Sequence, residues 1–239
     1  MGDQYLGNLG TFGIDADRTG RGWCTFLIDP TLATTAQQCI VLACVVLFVT
    51  KMANLILASS SPRRRELLQQ LGLEFSVYSP DVDESVHAGE QPADYVLRLA
   101  ESKAAVVLKR YSEACIIAAD TTLAVDDEII GKPESRAHAF DIWQKLSGRR
   151  HVVLTGVCVQ NKSISKSIVV QTWVEFSQLS RSDMEHYWAT GEPIGKAGGY
   201  AIQGIAAQYI PRIEGSYSNV VGLPLFETMQ LYQAVNAQN

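Results

Sequence analysis

The sequence predicts an α/β domain, a mixed sheet flanked by helices, that begins near Met52. Two observations point there. Short apolar runs rich in β-branched residues alternate with segments of helical period. The 239-residue chain is also 47% hydrophobic, enough for one well-buried domain or for two small lobes sharing a cleft.

Residues 54–58 form a short apolar strand. Ser61 and Pro62 follow, a good N-cap and a first helical residue, so a helix is expected over 63–71 until Gly72 stops it. Residues 75–78 read as a second strand, and 94–111 as a longer helix with Val96, Leu97, Ala100, Ala104 and Val107 on one side. The apolar run 115–119 is a buried-type strand expected to end at Asp120, and 129–133 closes a hairpin-like segment. A helix follows over 137–146. Residues 152–159 and 167–176 suit two long antiparallel strands, and 182–190 and 225–235 two further helices. No internal repeat or low-complexity stretch interrupts the series.

The first 51 residues differ. Residues 1–38 are rich in Gly, Thr, Asp and Gln, and 39–49 is a run of eleven apolar residues. A membrane span needs about 20. No basic stretch stands close before the run and no small-residue cleavage site follows it, which speaks against a signal peptide. The preferred reading is a translated upstream segment with Met52 as the start of the domain. A structured appendage and a membrane-surface anchor stay open.

With charged residues at 19% and a net charge of -5, the chain lacks the basic footprint of a nucleic-acid binder. Cys24, Cys39, Cys44, Cys115 and Cys158 contain no CxxC pair, and their number is odd, so a reducing cytoplasm fits better than a disulfide framework. His87, His138, His151 and His186 lack zinc-ligand spacing.

Several segments carry chemistry. In residues 58–65, Ala-Ser-Ser-Ser-Pro-Arg-Arg-Arg, a strand gives way to a helix through three hydroxyl residues. A helix N-terminus offers free N–H groups and a partial positive charge, suited to phosphate. Arginine is unfavourable there without a compensating anion, so Arg63 and Arg64 suggest a bound anion more than a solvated surface. Asp81, Asp83 and Glu84 follow a strand. The first two fit turn chemistry, whereas Asp120 after an apolar strand could hold Mg²⁺ or Mn²⁺ or activate a water. Lys103 lies mid-helix and Lys132 sits in Gly-Lys-Pro; either alone reads as solvated. Residues 196–204, Lys-Ala-Gly-Gly-Tyr-Ala-Ile-Gln-Gly, form a Gly-rich loop without P-loop spacing. Gln203 could read a base edge through its amide.

These segments, together with Val82-Asp83-Glu84, Glu101-Ser102-Lys103-Ala104, Ala119-Asp120-Thr121, Leu154-Thr155-Gly156-Val157 and Val221-Gly222-Leu223-Pro224, resemble the Maf family in order and cover about residues 53 to 235. The resemblance implies an elongated mixed α/β fold of two lobes with a central cleft, related to the inosine-triphosphate pyrophosphatases. It implies metal-dependent hydrolysis of a nucleoside triphosphate between the α- and β-phosphates, with Mg²⁺ or Mn²⁺ as cofactor. Arg63, Thr121 and Gln203 match the branch acting on dTTP and UTP; the 7-methyl-GTP branch has Trp, Gln and Glu there. The expected roles follow from the resemblance. Ser59, Arg63, Arg64, Lys103 and Lys132 bind the triphosphate. Thr121 and Gln203 favour the pyrimidine edge. Glu84 and Asp120 bind metal, with Asp120 also preparing the water. A nucleotide substrate, modified pyrimidine nucleotides included, no nucleic-acid polymer, no membrane for residues 52–239 and a cytoplasmic setting complete the expectation, with homodimerisation open. The rivals are a 7-methyl-GTP pyrophosphatase and a nucleotide-binding regulator of septum formation without turnover.

Overall fold

A computed structural model describes residues 54–237. The first 51 residues, including the apolar run 39–49, therefore lie outside the described residues.

The sheet begins with β1 (Leu55–Ala58), whose four residues are all buried. It is followed by α1 (Pro62–Gln69), capped by Ser61 and begun by Pro62. Then come β2 (Ser76–Tyr78) and α2 (Pro92–Arg110). Helix α2 has Asp94 in its first turn and Lys109 and Arg110 in its last, in accord with the helix dipole. Next are β3 (Cys115–Val125), β4 (Glu128–Ile130), α3 (Arg136–Leu146), β5 (Arg150–Gln160) and β6 (Ser165–Glu175). The chain closes with α4 (Arg181–Ala189), β7 (Arg212–Glu214), α5 (Tyr217–Val221) and α6 (Leu225–Asn236).

Seven strands form one mixed sheet in the order β2-β1-β3-β5-β6-β7, with β4 also on β3. Strand β1 runs parallel to both β2 and β3; the remaining pairs are antiparallel. The two long strands expected over 152–159 and 167–176 pair directly as β5 and β6. Asp126 and Asp127, both at positive φ, make the two-residue turn from β3 to β4, so the expected hairpin starts earlier in the chain.

Both faces of the sheet are covered. Side chains alternate along a strand. Ile56, Ala58, Ile116 and Ala118 pack with Ala100, Ala104 and Val107 of α2. Leu55, Leu57, Cys115, Ile117 and Ala119 join the larger core on the other face with Leu67, Leu68, Phe140, Trp143 and Leu223. Helix α2 approaches β5 so closely that a Cβ on Gly156 would run into the Val96 carbonyl. Cys115 and Cys158 are buried free thiols, and burial pushes both up to about 11. Among the described residues no helix is long and apolar enough to cross a membrane.

One expectation needs correction. Strand β3 does not end at Asp120 but runs on to Val125. The polar Asp-Thr-Thr looks like a strand end in one dimension, yet β5 pairs with it residue by residue, Asp120 opposite Gly156 and Thr121 opposite Thr155. What ends at this level is the neighbour on the other side. Strand β1 stops at Ala58, opposite Ala118. The edge of β3 from Ala119 to Thr122 is thus free of a strand partner until Leu123, which pairs with Ile130 of β4. The site opens in that gap.

Candidate active site

A cavity of about 340 Å³ lies at the gap, bounded by the end of β1, the start of α1, mid-β3 and the Gly-rich loop. Binding beyond the carboxyl ends of parallel strands is the general habit of such sheets. The nine residues expected to bind substrate or metal all line it: Ser59, Arg63, Arg64, Glu84, Lys103, Asp120, Thr121, Lys132 and Gln203. Arg65, the third arginine of the run, does not. Lys196 lines it as well. Lys196 carries no expected role in the sequence beyond membership of the Gly-rich motif; a lysine opening a Gly-Gly loop is the signal that could mark it. Five basic side chains against two acidic ones make this the electropositive part of an acidic protein.

The alternation of β3 decides who faces whom. Asp120 continues the series Ile116, Ala118 and so points to the α2 side, where Lys103 Nζ donates to its Oδ1 at 2.6 Å. Lys103 is not the solvated lysine that a lone helical position suggests. It is 7% exposed, and Asp120 is 8% exposed. The same ammonium reaches Glu84 Oε1 at 2.6 Å. Burial works against the ionised Glu84, but the hydrogen bond and charge of Lys103, with Lys132 and Arg64 behind, hold its carboxyl below the usual range. Glu84 comes from an irregular segment that Tyr95 fastens to α2 by donating to the Glu84 carbonyl at 3.0 Å. Two carboxylates on one ammonium beside a phosphate-sized cavity also form an oxygen donor set of the kind that Mg²⁺ shares with phosphate ligands.

Thr121, one residue on, points to the opposite face. There Arg64 Nη2 donates to its Oγ1 at 2.9 Å, Arg64 Nε donates to the Gly222 carbonyl at 2.8 Å, and Arg64 Nη1 donates to Ser59 Oγ at 3.3 Å. A guanidinium has five N–H groups, so two remain for an anion. Its partners are all neutral oxygens, and no described carboxylate forms an ion pair with it. Burial pushes Arg64 below its ordinary value, Asp120 and Glu84 raise it, and Arg63 lowers it further. Arg63 is also pushed down by burial. Ser59 Oγ accepts from Ser61 N at 3.1 Å as well as from Arg64, which leaves its proton to donate. Thr121, expected at the pyrimidine edge, has its hydroxyl already engaged with Arg64 and with Thr155 Oγ1 at 2.9 Å.

Gln203 and Lys132 are exposed, on the loop side of the cavity. The Gly-rich loop is held by Glu192, which no sequence motif marks. Glu192 accepts from Tyr187 Oη at 2.7 Å, Ile205 N at 2.8 Å and Ala206 N at 3.2 Å, and its backbone carbonyl accepts from Lys196 Nζ. A Cβ on Gly204 would crowd the Glu192 carboxylate, so a side chain beside Gln203 would push aside the group that holds the loop. Deeper in the loop, Tyr200 lies 2.7 Å from His151 Nε2.

A family model described as Maf-like protein matches residues 54–235, and the chain belongs to the Maf family. It is 64% identical over 183 residues to a dTTP/UTP pyrophosphatase of Acinetobacter baylyi, a match covering 77% of this chain and 100% of that protein. It is also 49% identical over 183 residues to a dTTP/UTP pyrophosphatase of Colwellia psychrerythraea, covering 74% of this chain and 86% of that one. A third relative of that name, from Vibrio parahaemolyticus, is 47% identical over 184 residues, covering 77% and 97%.

Proposed function

We propose that this protein is a nucleoside triphosphate pyrophosphatase that hydrolyses dTTP and UTP to the monophosphate and pyrophosphate. The observation that carries the reading is the meeting of opposite chemistries across one cavity: Arg64 with spare N–H groups on one side, and the Lys103-bound carboxylates on the other. The relatives' names support the substrate class.

Ser59, Arg63 and Arg64 hold the triphosphate, with the α1 N-terminus behind them. Lys103 and Lys132 offset charge as it moves onto the leaving group, and Lys196 joins them from the loop. A water attacks the α-phosphorus. Its oxygen forms the new P–O bond, its proton passes to Asp120, and the bond from the α-phosphorus to the bridging oxygen breaks with its electron pair leaving on pyrophosphate. Glu84 and Asp120 would hold a divalent cation, Mg²⁺ or Mn²⁺, which supplies Lewis-acid neutralisation of phosphate oxygens when bound. Lys103 keeps those two carboxylates together, so neither depends on the cation for its position. Gln203 offers an amide donor and acceptor to the pyrimidine edge. A cytoplasmic setting agrees with the buried free thiols.

The test is pyrophosphate release from dTTP, UTP, 7-methyl-GTP and ordinary purine triphosphates with Mg²⁺ or Mn²⁺. Preference for dTTP and UTP is expected. A preference for 7-methyl-GTP would move the protein to another branch of the family, and binding without turnover would make it a nucleotide-responsive regulator.

A further inference from the structure

Behind Arg64 runs a chain of hydrogen bonds that leads away from the cavity into the sheet. Arg64 Nη2 meets Thr121 Oγ1 at 2.9 Å, Thr121 Oγ1 meets Thr155 Oγ1 at 2.9 Å, and Thr155 Oγ1 donates to the Asn219 carbonyl at 3.1 Å. A guanidinium only donates and a carbonyl only accepts. With Thr155 donating to the Asn219 carbonyl, Thr121 donates to Thr155 at 2.9 Å, a shorter bond than its alternative to the Gly222 carbonyl at 3.4 Å. Each hydroxyl then accepts once and donates once in the same sense, an arrangement in which each bond polarises the next.

The far end is anchored. Asn219 and Thr155 are fully buried. Asn219 Nδ2 donates to the Val153 carbonyl at 3.1 Å and to Thr172 Oγ1 at 3.0 Å, and Thr172 accepts from Ser216 N at 3.0 Å. The anchor thus ties α5 to β5 and β6, and Gly222 at the end of α5 presents the carbonyl that receives Arg64 Nε. None of Thr155, Thr172 and Asn219 lines the cavity.

We propose that Thr155 is a positioning residue, acting through Thr121 to aim the Arg64 guanidinium at the phosphate chain, with Asn219 as its buried anchor. The inference rests on the pyrophosphatase reading for the identity of the anion. It gives the Leu154-Thr155-Gly156 segment a task beyond strand pairing: Gly156 admits α2 and Thr155 orients Arg64 on the other face.

The test compares Thr155→Val, which keeps shape without the hydroxyl, with Thr155→Ser, which keeps the hydroxyl. Each is made in the wild-type and Arg64→Lys backgrounds. The readouts are kcat and KM for dTTP and calorimetric affinity for inorganic tripolyphosphate. Thr155→Val is expected to lower kcat/KM and tripolyphosphate affinity roughly 5–30-fold, and Thr155→Ser to stay within about threefold of wild type. In the Arg64→Lys background the Val substitution should change either readout less than about twofold, because a lysine has no second arm to be aimed. Equal losses in both backgrounds, or wild-type behaviour of Thr155→Val, would overturn the proposal. If Thr155→Val does not fold, Thr121→Val carries the same comparison. If the wild type releases no pyrophosphate from any nucleotide, the pyrophosphatase reading fails, and tripolyphosphate affinity still decides the relay by the same criteria.

Discussion

The two sides of the cavity are built differently. On the sheet side, Ser59, Arg64, Lys103 and Asp120 sit on or next to regular elements, and each is held by hydrogen bonds or ion pairs to its neighbours. On the loop side, Lys132 and Gln203 are exposed. The Gly-rich loop that carries Gln203 is held from outside by Glu192 and pinned to the sheet through Tyr200 on His151. A phosphate chain is the same in every triphosphate and rewards rigid, preorganised charge. A base differs from one nucleotide to the next, and a loop is where such a reader can vary without disturbing the sheet. The contrast predicts that damage on the sheet side is large and indifferent to the base, and that damage on the loop side is small and selective.

The largest effect is expected at Asp120. Asp120→Asn keeps the shape and removes the charge, and turnover should fall on the order of 10²–10⁴-fold for every nucleotide. Stability should change little, since Glu84 still compensates the Lys103 ammonium. Thermal melting beside steady-state kinetics checks both halves. Near-normal turnover would remove Asp120 from the chemistry.

Next comes Gly156→Ala, which attacks the support of that side. The added methyl would meet the Val96 carbonyl, so α2, which carries Lys103, must shift. A loss of about 1–3 kcal/mol in folding is expected from such overpacking. Turnover should fall for all substrates together. Denaturant unfolding measures the first and the nucleotide panel the second. A drop confined to dTTP and UTP would contradict the division of labour.

On the loop side, Gln203→Glu replaces an amide donor by a charge that repels the pyrimidine carbonyl. Because Gln203 is exposed, one lost contact should amount to about 1 kcal/mol, or roughly fivefold, in kcat/KM for dTTP and UTP. Other triphosphates should be nearly unaffected. Equal losses across the panel would show that Gln203 supports the loop rather than reading the base.

How far the sequence disclosed this depends on the length over which each feature repeats. The strand, Ser-Pro turn and helix around Ser59 and Arg64 were legible because capping and phosphate binding both act within a few residues. The long strands β5 and β6 declared themselves by runs of apolar and β-branched residues. Strand β7 and helix α5, three and five residues long, are too short for any period to show. The extent of β3 was misread because its polar middle is matched by β5, a partner that local sequence does not display. Lys103 was legible as a site residue only through its family motif. Its burial depends on Asp120 and Glu84, which approach from other parts of the chain. Thr155 and Asn219 share that property: each acts through contacts whose partners are mostly distant in sequence.

The smallest effect concerns the floor of the loop side, at His151. It is 1% exposed, stacked edge-on against Phe176, with Nε2 at 2.7 Å from Tyr200 Oη. Burial lowers it from 6.5 to about 3 and pushes the Tyr200 phenol upward, so both are neutral in the folded protein. The unfolded chain binds a proton at this histidine more readily than the folded one does. Its contribution to stability is therefore complete above about pH 6.5 and is lost progressively as pH falls towards 3. Between pH 6.5 and 5.5 the loss is about 1 kcal/mol, just under the limit of roughly 1.4 kcal/mol per pH unit for one proton. His151→Gln keeps a hydrogen-bonding amide, donor and acceptor both, for Tyr200 and cannot titrate. Urea unfolding at pH 6.5 and 5.5 should show wild type losing about 1 kcal/mol more than the variant over that step. The phosphate side gives no reason for a difference of this sign, because its carboxylates are common to both proteins. Identical acid slopes would mean that His151 takes up its proton without disturbing the fold, and that the Tyr200 floor is softer than its burial implies.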